Sequence, residues 1–213
     1  MNFTPLRILI ATTFASACLA AETWELGAVG GYGWYHNPSI TNSPDSGSAG
    51  FPSRAALGVV FGETPFNYVG GELRWLYRFG GPQLQSNGIT EAAPGYTNTI
   101  TYDLLFHMTP RESVVRPFVA AGAGIKVYTA SRRDLTQPLA GLAVLRPVTE
   151  VEPDISLGGG LKYLLPKHIQ LRVDFRLLMT PLPNEVIRPT GTSTRIHGWV
   201  YDFVPLAGIS YVF

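Results

Sequence analysis

From Thr23 onward the sequence repeats one pattern eight times: about ten residues in which apolar side chains alternate with small or polar ones, then a stretch of turn formers. A period of two is that of a β-strand, whose successive side chains point to opposite faces, and not the 3.6-residue period of an amphipathic helix. The segments are 23–35, 54–63, 68–80, 97–108, 114–128, 153–165, 168–180 and 197–213. They are close to the length, about nine to eleven residues, that a tilted strand needs to cross a bilayer.

One phase of each segment is apolar. It reads Trp24, Leu26, Ala28, Gly30, Tyr32 and Trp34 in the first segment, and Val69, Gly71, Leu73, Trp75, Tyr77 and Phe79 in the third. In the last it runs through Trp199, Tyr201, Phe203, Pro205, Ala207, Ile209, Tyr211 and Phe213. The other phase takes the charges: Glu25, Glu72, Arg74, Arg78, Asp103, Arg116, Lys126, Lys162, Arg172, Asp174, Arg176 and Asp202. The apolar phase is expected to carry none.

Alternation leaves open which face is inside. A soluble eight-stranded ligand barrel would turn the apolar face inward. Volume opposes that choice, because the apolar phase holds all four Trp residues and most of the other bulky side chains. The opposite phase is mainly small, with Gly27, Gly31, Gly33, Gly58, Gly62, Gly70, Ala120, Gly122, Gly124, Gly158, Gly160 and Gly208. Small residues and a few paired long ones fill a narrow polar lumen and make a poor solvated exterior.

The connections are asymmetric too. Those after the second, fourth and sixth segments are short (Thr64–Asn67, Thr109–Ser113, Pro166–Lys167), whereas the others are long and rich in Pro, Ser, Thr, Gly and Asn. Short turns on one rim and long loops on the other mark an all-β, eight-stranded antiparallel up-and-down transmembrane barrel, with short periplasmic turns and long extracellular loops. Trp24, Tyr68, Tyr163, Tyr211 and Phe213 would form the periplasmic girdle; Trp34, Tyr77, Phe79, Tyr102, Trp199 and Tyr201 the outer one. Trp24, Trp34, Trp75 and Trp199 are the candidate membrane-interface indoles.

Composition agrees. Only 15% of residues are charged, against about 25% in ordinary soluble domains, and the net charge of +1 offers no footprint for nucleic acid. The single Cys18 excludes an intramolecular disulfide frame. Arg7, the apolar stretch Ile8–Ala17 and the small-residue end Cys18-Leu19-Ala20 read as a secretory signal peptide over 1–20, leaving the barrel at 21–213. A lipoprotein signal on Cys18 is the alternative, without the usual Leu three positions earlier. Cleavage after Ala20 leaves 15 basic and 15 acidic residues, since Arg7 is the only charge removed.

The final Gly208-Ile209-Ser210-Tyr211-Val212-Phe213 resembles the terminal assembly signal of outer-membrane barrels, with Gly208, Tyr211 and Phe213 at its key places. Arg116-Pro117-Phe118-Val119-Ala120-Ala121-Gly122-Ala123-Gly124 and Leu171-Arg172-Val173-Asp174-Phe175-Arg176 resemble the fifth and seventh strands of the small OmpA-like outer-membrane β-barrel family. The resemblance spans essentially the whole mature chain and implies reading by the barrel-assembly machinery and periplasmic chaperones. Because the sequence stops at the eighth strand, the peptidoglycan-binding domain of many members is expected to be missing. Pro205 departs from the pattern, since a Pro within a paired strand loses a ladder bond, and a bulge is expected there.

No cofactor, metal centre or catalytic residue is called. Asp103 and His107 share a face, yet four residues along a strand is roughly 13 Å, so they cannot bond directly, and His107 reads as structural. The lipid A deacylases resemble one another in a His-x-Ser-Asn motif, whereas this chain reads His197-Gly198-Trp199-Val200, with no Ser two residues on. His36 and His168 lack partner ligands. Glu72, Arg74, Asp103, Lys162, Arg172, Asp174 and Arg176 are expected to form an ion network in the lumen, with Arg74 level with Asp103 and Lys162 level with Arg172. The 130–152 loop holds Arg132-Arg133-Asp134 and the apolar run Leu139–Leu145. Either the fifth and sixth strands extend as a hairpin, the preferred reading, or the run contacts lipopolysaccharide or a partner. The functional expectation is a monomeric outer-membrane barrel with a structural or surface-interaction role and a plugged lumen. A small gated pore is the alternative, and a lipid A-modifying enzyme a third.

Overall fold

The computed structural model describes residues 23–42, 45–131, 138–190 and 198–213. The signal-peptide reading of 1–20, Arg132-Arg133-Asp134 and His197 lie outside the described residues. Among the described residues fourteen strands follow one another: β1 Thr23–His36, β2 Ser39–Asn42, β3 Asp45–Gly50, β4 Arg54–Thr64, β5 Val69–Phe79, β6 Gln83–Ser86, β7 Ile89–Ala92, β8 Gly95–His107, β9 Val115–Ala130, β10 Ala143–Leu145, β11 Thr149–Leu164, β12 Ile169–Pro181, β13 Ile187–Pro189 and β14 Trp199–Val212. The helical content of the described residues is a single 3-10 turn, Pro166–His168.

Eight of these strands, in the order β1, β4, β5, β8, β9, β11, β12 and β14, close an antiparallel barrel, with β14 pairing back onto β1. They coincide with the eight alternating segments to within a few residues. Following paired residues once around from Glu25, through Gly62, Glu72, Asp103, Gly122, Ser156, Leu178 and Asp202, leads to Tyr35, ten residues further along β1. That stagger tilts the strands and sets a narrow interior that side chains can fill.

The phases divide as expected. Leu57, Val173 and Ile209 face outward with more than half of their surface open, while Arg74, Arg172 and Arg176 are fully buried. A soluble fold that exposed so many large apolar side chains on its wall would aggregate, whereas lipid is their natural solvent. The expected list of charges is incomplete. Asp154 joins the inward charges, and Glu63 stands on the outward face. Glu63 is tolerated there because it is the next-to-last residue of β4, at the edge of the wall, where its carboxylate accepts a hydrogen bond from Tyr102 Oη at 2.9 Å; Tyr102 thus reaches toward the short-turn rim and does not belong to the expected outer girdle.

Pro205 makes no bulge. The β12 to β14 register runs unbroken through Phe175 and Pro205, and the β1 to β14 ladder lapses only opposite Tyr32 and Gly33 before resuming in step. Gly31 permits this: a Cβ there would lie 2.0 Å from the Pro205 carbonyl oxygen, so only a glycine lets the two backbones stay this close. At the short-turn rim, Lys167 and His168 both take positive φ (66° and 63°), as a two-residue turn requires.

The long loops are folded. The first two form a four-stranded sheet in the order β2, β3, β6, β7, whose tip is the Asn87-Gly88 turn, and the last two pair β10 with β13. Together they enclose an apolar core of Ile40, Phe51, Leu84, Leu139, Leu142, Leu145, Val186, Ile187 and neighbours, which reaches Tyr128 and Val200 at the barrel's upper rim. The expected hairpin is corrected here. β9 and β11 do extend, pairing as far as Thr129 and Thr149, but the apolar run 139–145 leaves them and is buried in this cap, with Leu145 paired to Ile187. Burial against a second loop removes more apolar surface from water than a bare two-stranded ribbon would.

Candidate functional site

The inward phase of the lower and middle barrel carries expected charges on β1, β5, β8, β11 and β12, and the tilt brings them together. Arg172 is the hub. Its guanidinium donates to Glu25 Oε1 at 2.9 Å and to Asp174 Oδ2 at 2.7 Å, and stands 2.7 Å from Glu72 Oε2. Arg74 bonds Glu72 and also reaches Asp174 at 2.7 Å, while Arg176 reaches Glu72 at 3.2 Å and Asp103 at 3.7 Å. Lys162 pairs with Glu25. The seven residues expected from sequence therefore fall in one network, which Glu25 completes to four acids and four bases. Lys162 and Arg172 stand level as expected, directly opposite each other across two strands, with Glu25 bridging their charges. The other levelling is corrected: Asp103 lies opposite Glu72 and not Arg74, so Arg74 binds Glu72 and Asp174 while Asp103 is left to Arg176.

Higher in the lumen a second cluster joins Arg78 and Lys126 to opposite oxygens of Asp202, at 3.0 and 2.8 Å. The Tyr35 ring lies between the two cations, 4.9 Å from the Arg78 guanidinium carbon and 4.8 Å from Lys126 Nζ. An apolar group, Val29, Ala56, Val60, Leu76, Leu178, Val204 and Leu206, occupies one side of the barrel wall between the clusters. The opposite side, on β8, β9 and β11, is small and polar: Thr97, Thr99, Ser156, both oxygens of Asp154 and Asp103 Oδ1 are buried there without protein partners, around Gly122 and Gly124. Sequence reasoning passed over Asp154, although its place in phase with Ser156 on the sixth segment would have put it inside.

Of the histidines, His107 is buried near the short-turn rim with its ring 5.8 Å from that of Phe118 and no partner on either ring nitrogen. His36 ends β1 against Tyr201, and His168 leans on Tyr211 in its turn. Among the described residues no three His, Cys, Asp or Glu side chains gather as a metal ion would require. At the seam, the Phe213 backbone exchanges two hydrogen bonds of 2.9 Å with Trp24. Tyr211 faces outward, and Gly208 lies opposite Val29 on the lumen side. Trp24 stacks on Phe61 at 5.2 Å and Trp34 on Phe203 at 6.1 Å. Trp199 opens β14 on the loop side, whereas Trp75 stands in the middle of β5, its indole N–H held by Asn98 at 3.1 Å.

The cap is pinned by polar contacts. Asn37 pairs with the Phe51 backbone through both side-chain atoms, and Glu150 accepts the backbone N–H groups of Asn184, Glu185 and Val186 at 2.8 to 3.0 Å. Glu91 accepts from the Leu139 N–H at 3.1 Å, and burial pushes its carboxyl above the usual carboxylate range.

The closed eight-stranded barrel matches solved barrels. Over 90% of this chain and 97% of the other, the fold superimposes on Neisserial surface protein A with a TM-score of 0.56 at 10% identity. The outer membrane protein OprG from Pseudomonas aeruginosa aligns with a TM-score of 0.55 at 17% identity, over 89% of this chain and 95% of that one. This chain has the fold of the small eight-stranded outer-membrane barrels. The N-terminal β-barrel domain of Pseudomonas aeruginosa OprF also matches, with a TM-score of 0.50 at 13% identity over 90% and 97% of the two chains. No protein-family model matches the sequence, and no curated protein matches it.

Proposed function

We propose that this chain is an integral outer-membrane protein with a structural and surface-interaction role, carried by a folded extracellular cap on a closed barrel. The observation that carries the reading is the cap core: four loops spend their apolar residues on packing one another over the upper mouth. Slack loops need no such core, and a rigid platform is how barrels present binding surface. The neutral Arg172 network beneath it supports a plugged lumen, because its buried side chains are ion-paired with one another and fill that side of the barrel. The reading assigns no catalysis, takes the protein as a monomer exported by its leader, and has it meet lipopolysaccharide at the loop face and the assembly machinery through Gly208, Tyr211 and Phe213. To test it, 139–145 is replaced by a Gly-Ser linker of equal length. Insertion and heat-modifiable gel mobility should persist while surface binding or envelope integrity falls. Wild-type binding and integrity in the replaced protein would contradict it.

The unpartnered oxygens of Asp103, Asp154, Ser156 and Thr99 beside Gly122 and Gly124 favour a second reading, a narrow pore on that side of the lumen. Planar-bilayer recording separates the two. A plug gives no stepwise conductance, whereas a pore conducts and changes its conductance with Asp154→Asn.

A further inference from the structure

On the outward faces of the barrel strands, among the described residues, Glu63 is the sole charged side chain. A carboxylate in contact with hydrocarbon is costly unless it is hydrogen-bonded and matched by positive charge. Tyr102 meets only the first need, through its 2.9 Å bond to Oε1. None of the ion pairs among the described residues involves Glu63.

The surroundings form a built cleft. Glu63 is cross-strand neighbour to Trp24 on one side and Gly71 on the other. The Tyr102 ring crosses Gly71 so closely that a Cβ there would lie 2.1 Å from the hydroxyl oxygen. A hollow of about 310 Å³ results, lined by Trp24, Phe61, Glu63, Gly71, Leu73 and Tyr102. One carboxylate oxygen is committed to Tyr102, the walls are aromatic faces that attract cations, and Leu73 and Phe61 continue the apolar wall above. The cleft adjoins the four-residue turn between β4 and β5, which places it at the headgroup level of the short-turn leaflet.

We propose that this cleft binds the primary ammonium of a zwitterionic phospholipid of the phosphatidylethanolamine class, with Glu63 accepting its N–H groups and Trp24 covering the cation. The occupant follows from charge and place: a lone wall carboxylate calls for a cation, and the apolar wall above it takes acyl chains. An amine also supplies the hydrogen-bond donors that a choline headgroup lacks. The site rests on the membrane-embedded reading of the barrel.

The test uses the folded barrel in detergent micelles, with phosphatidylethanolamine, phosphatidylcholine and phosphatidylglycerol of identical chains added in turn and bound lipid counted by native mass spectrometry. The ethanolamine lipid should be retained in preference to the other two. Glu63→Gln should lower that preference about tenfold, as loss of a charge-assisted hydrogen bond implies. Tyr102→Phe, which keeps the ring and frees the carboxylate, should lower it less and serves as the second variant if Glu63→Gln fails to fold. Equal retention of all three lipids, or a preference unchanged by both substitutions, overturns the site while leaving the barrel intact. A wild-type chain that neither inserts into vesicles nor shows heat-modifiable mobility overturns the membrane reading, and the site with it.

Discussion

At the residue scale, the buried charges are a matter of pairing. Arg172 touches three carboxylates, so Arg172→Ala takes one partner each from Glu25, Glu72 and Asp174 and leaves the buried network one positive charge short. Breaking a buried pair in this way costs about 3 to 5 kcal/mol, and urea unfolding in vesicles should register a loss of that order. Glu91, in the cap, gives a pH dependence whose sign is fixed by its environment. Burial raises its carboxyl in the fold, so the neutral form is favoured there. Its contribution is present below the unfolded carboxyl value, about 4.3, and is lost as pH rises through the folded one. The protection factor of the Leu139 amide should therefore fall between acid and neutral pH, and Glu91→Gln, which keeps an acceptor for that amide, should flatten the fall. The membership of the ion network was legible in sequence because its residues occupy one phase of the alternation. Its partners were not, because they depend on a stagger that only closure of the barrel sets. Glu25 serves Lys162 and Arg172 across sequence separations of 137 and 147 residues, beyond the reach of local spacing.

At the element scale, strands were easier to read than loops for a physical reason. A wall strand is dictated by two solvents, lipid and lumen, which write a period of two into it. A loop strand such as β2, β10 or β13 has three or four residues and no lipid side, so its apolar residues, Ile40, Leu145 and Ile187, look like stray hydrophobics until the loops meet. The Asn87-Gly88 pair between β6 and β7 was a hairpin signal that sequence reasoning missed. Pro205 shows the converse. Its missing N–H was legible, but a bulge did not follow, because Gly31 on the neighbouring strand lets the backbones approach instead. The seam strand makes its own prediction. Phe213 supplies both hydrogen bonds that close the lower end of β14 onto Trp24, so deletion of Phe213 should reduce assembled, heat-modifiable barrel. Undiminished insertion would remove its role in closure and assembly.

At the scale of the whole molecule, the low charge content of the sequence is explained by where the charges sit. Among the described residues, acids and bases neutralise one another in the lumen, the cap and turns take most of the remainder, and the outward wall carries one carboxylate, that of Glu63. The molecule is thus inverted relative to a soluble barrel, with polar groups at the axis and apolar groups at the perimeter, and its loops build a second, conventional apolar core above the first rim. The inversion is open to direct measurement on β8. Residues 21–213, which contain no cysteine, take single spin labels at successive positions from 99 to 106, in lipid vesicles, and the accessibility of each label to dissolved oxygen is read. A lipid-facing wall gives high accessibility at Ile100, Tyr102, Leu104 and Phe106 and low accessibility at Thr99, Thr101, Asp103 and Leu105. The opposite phase, or no alternation at all, would contradict it.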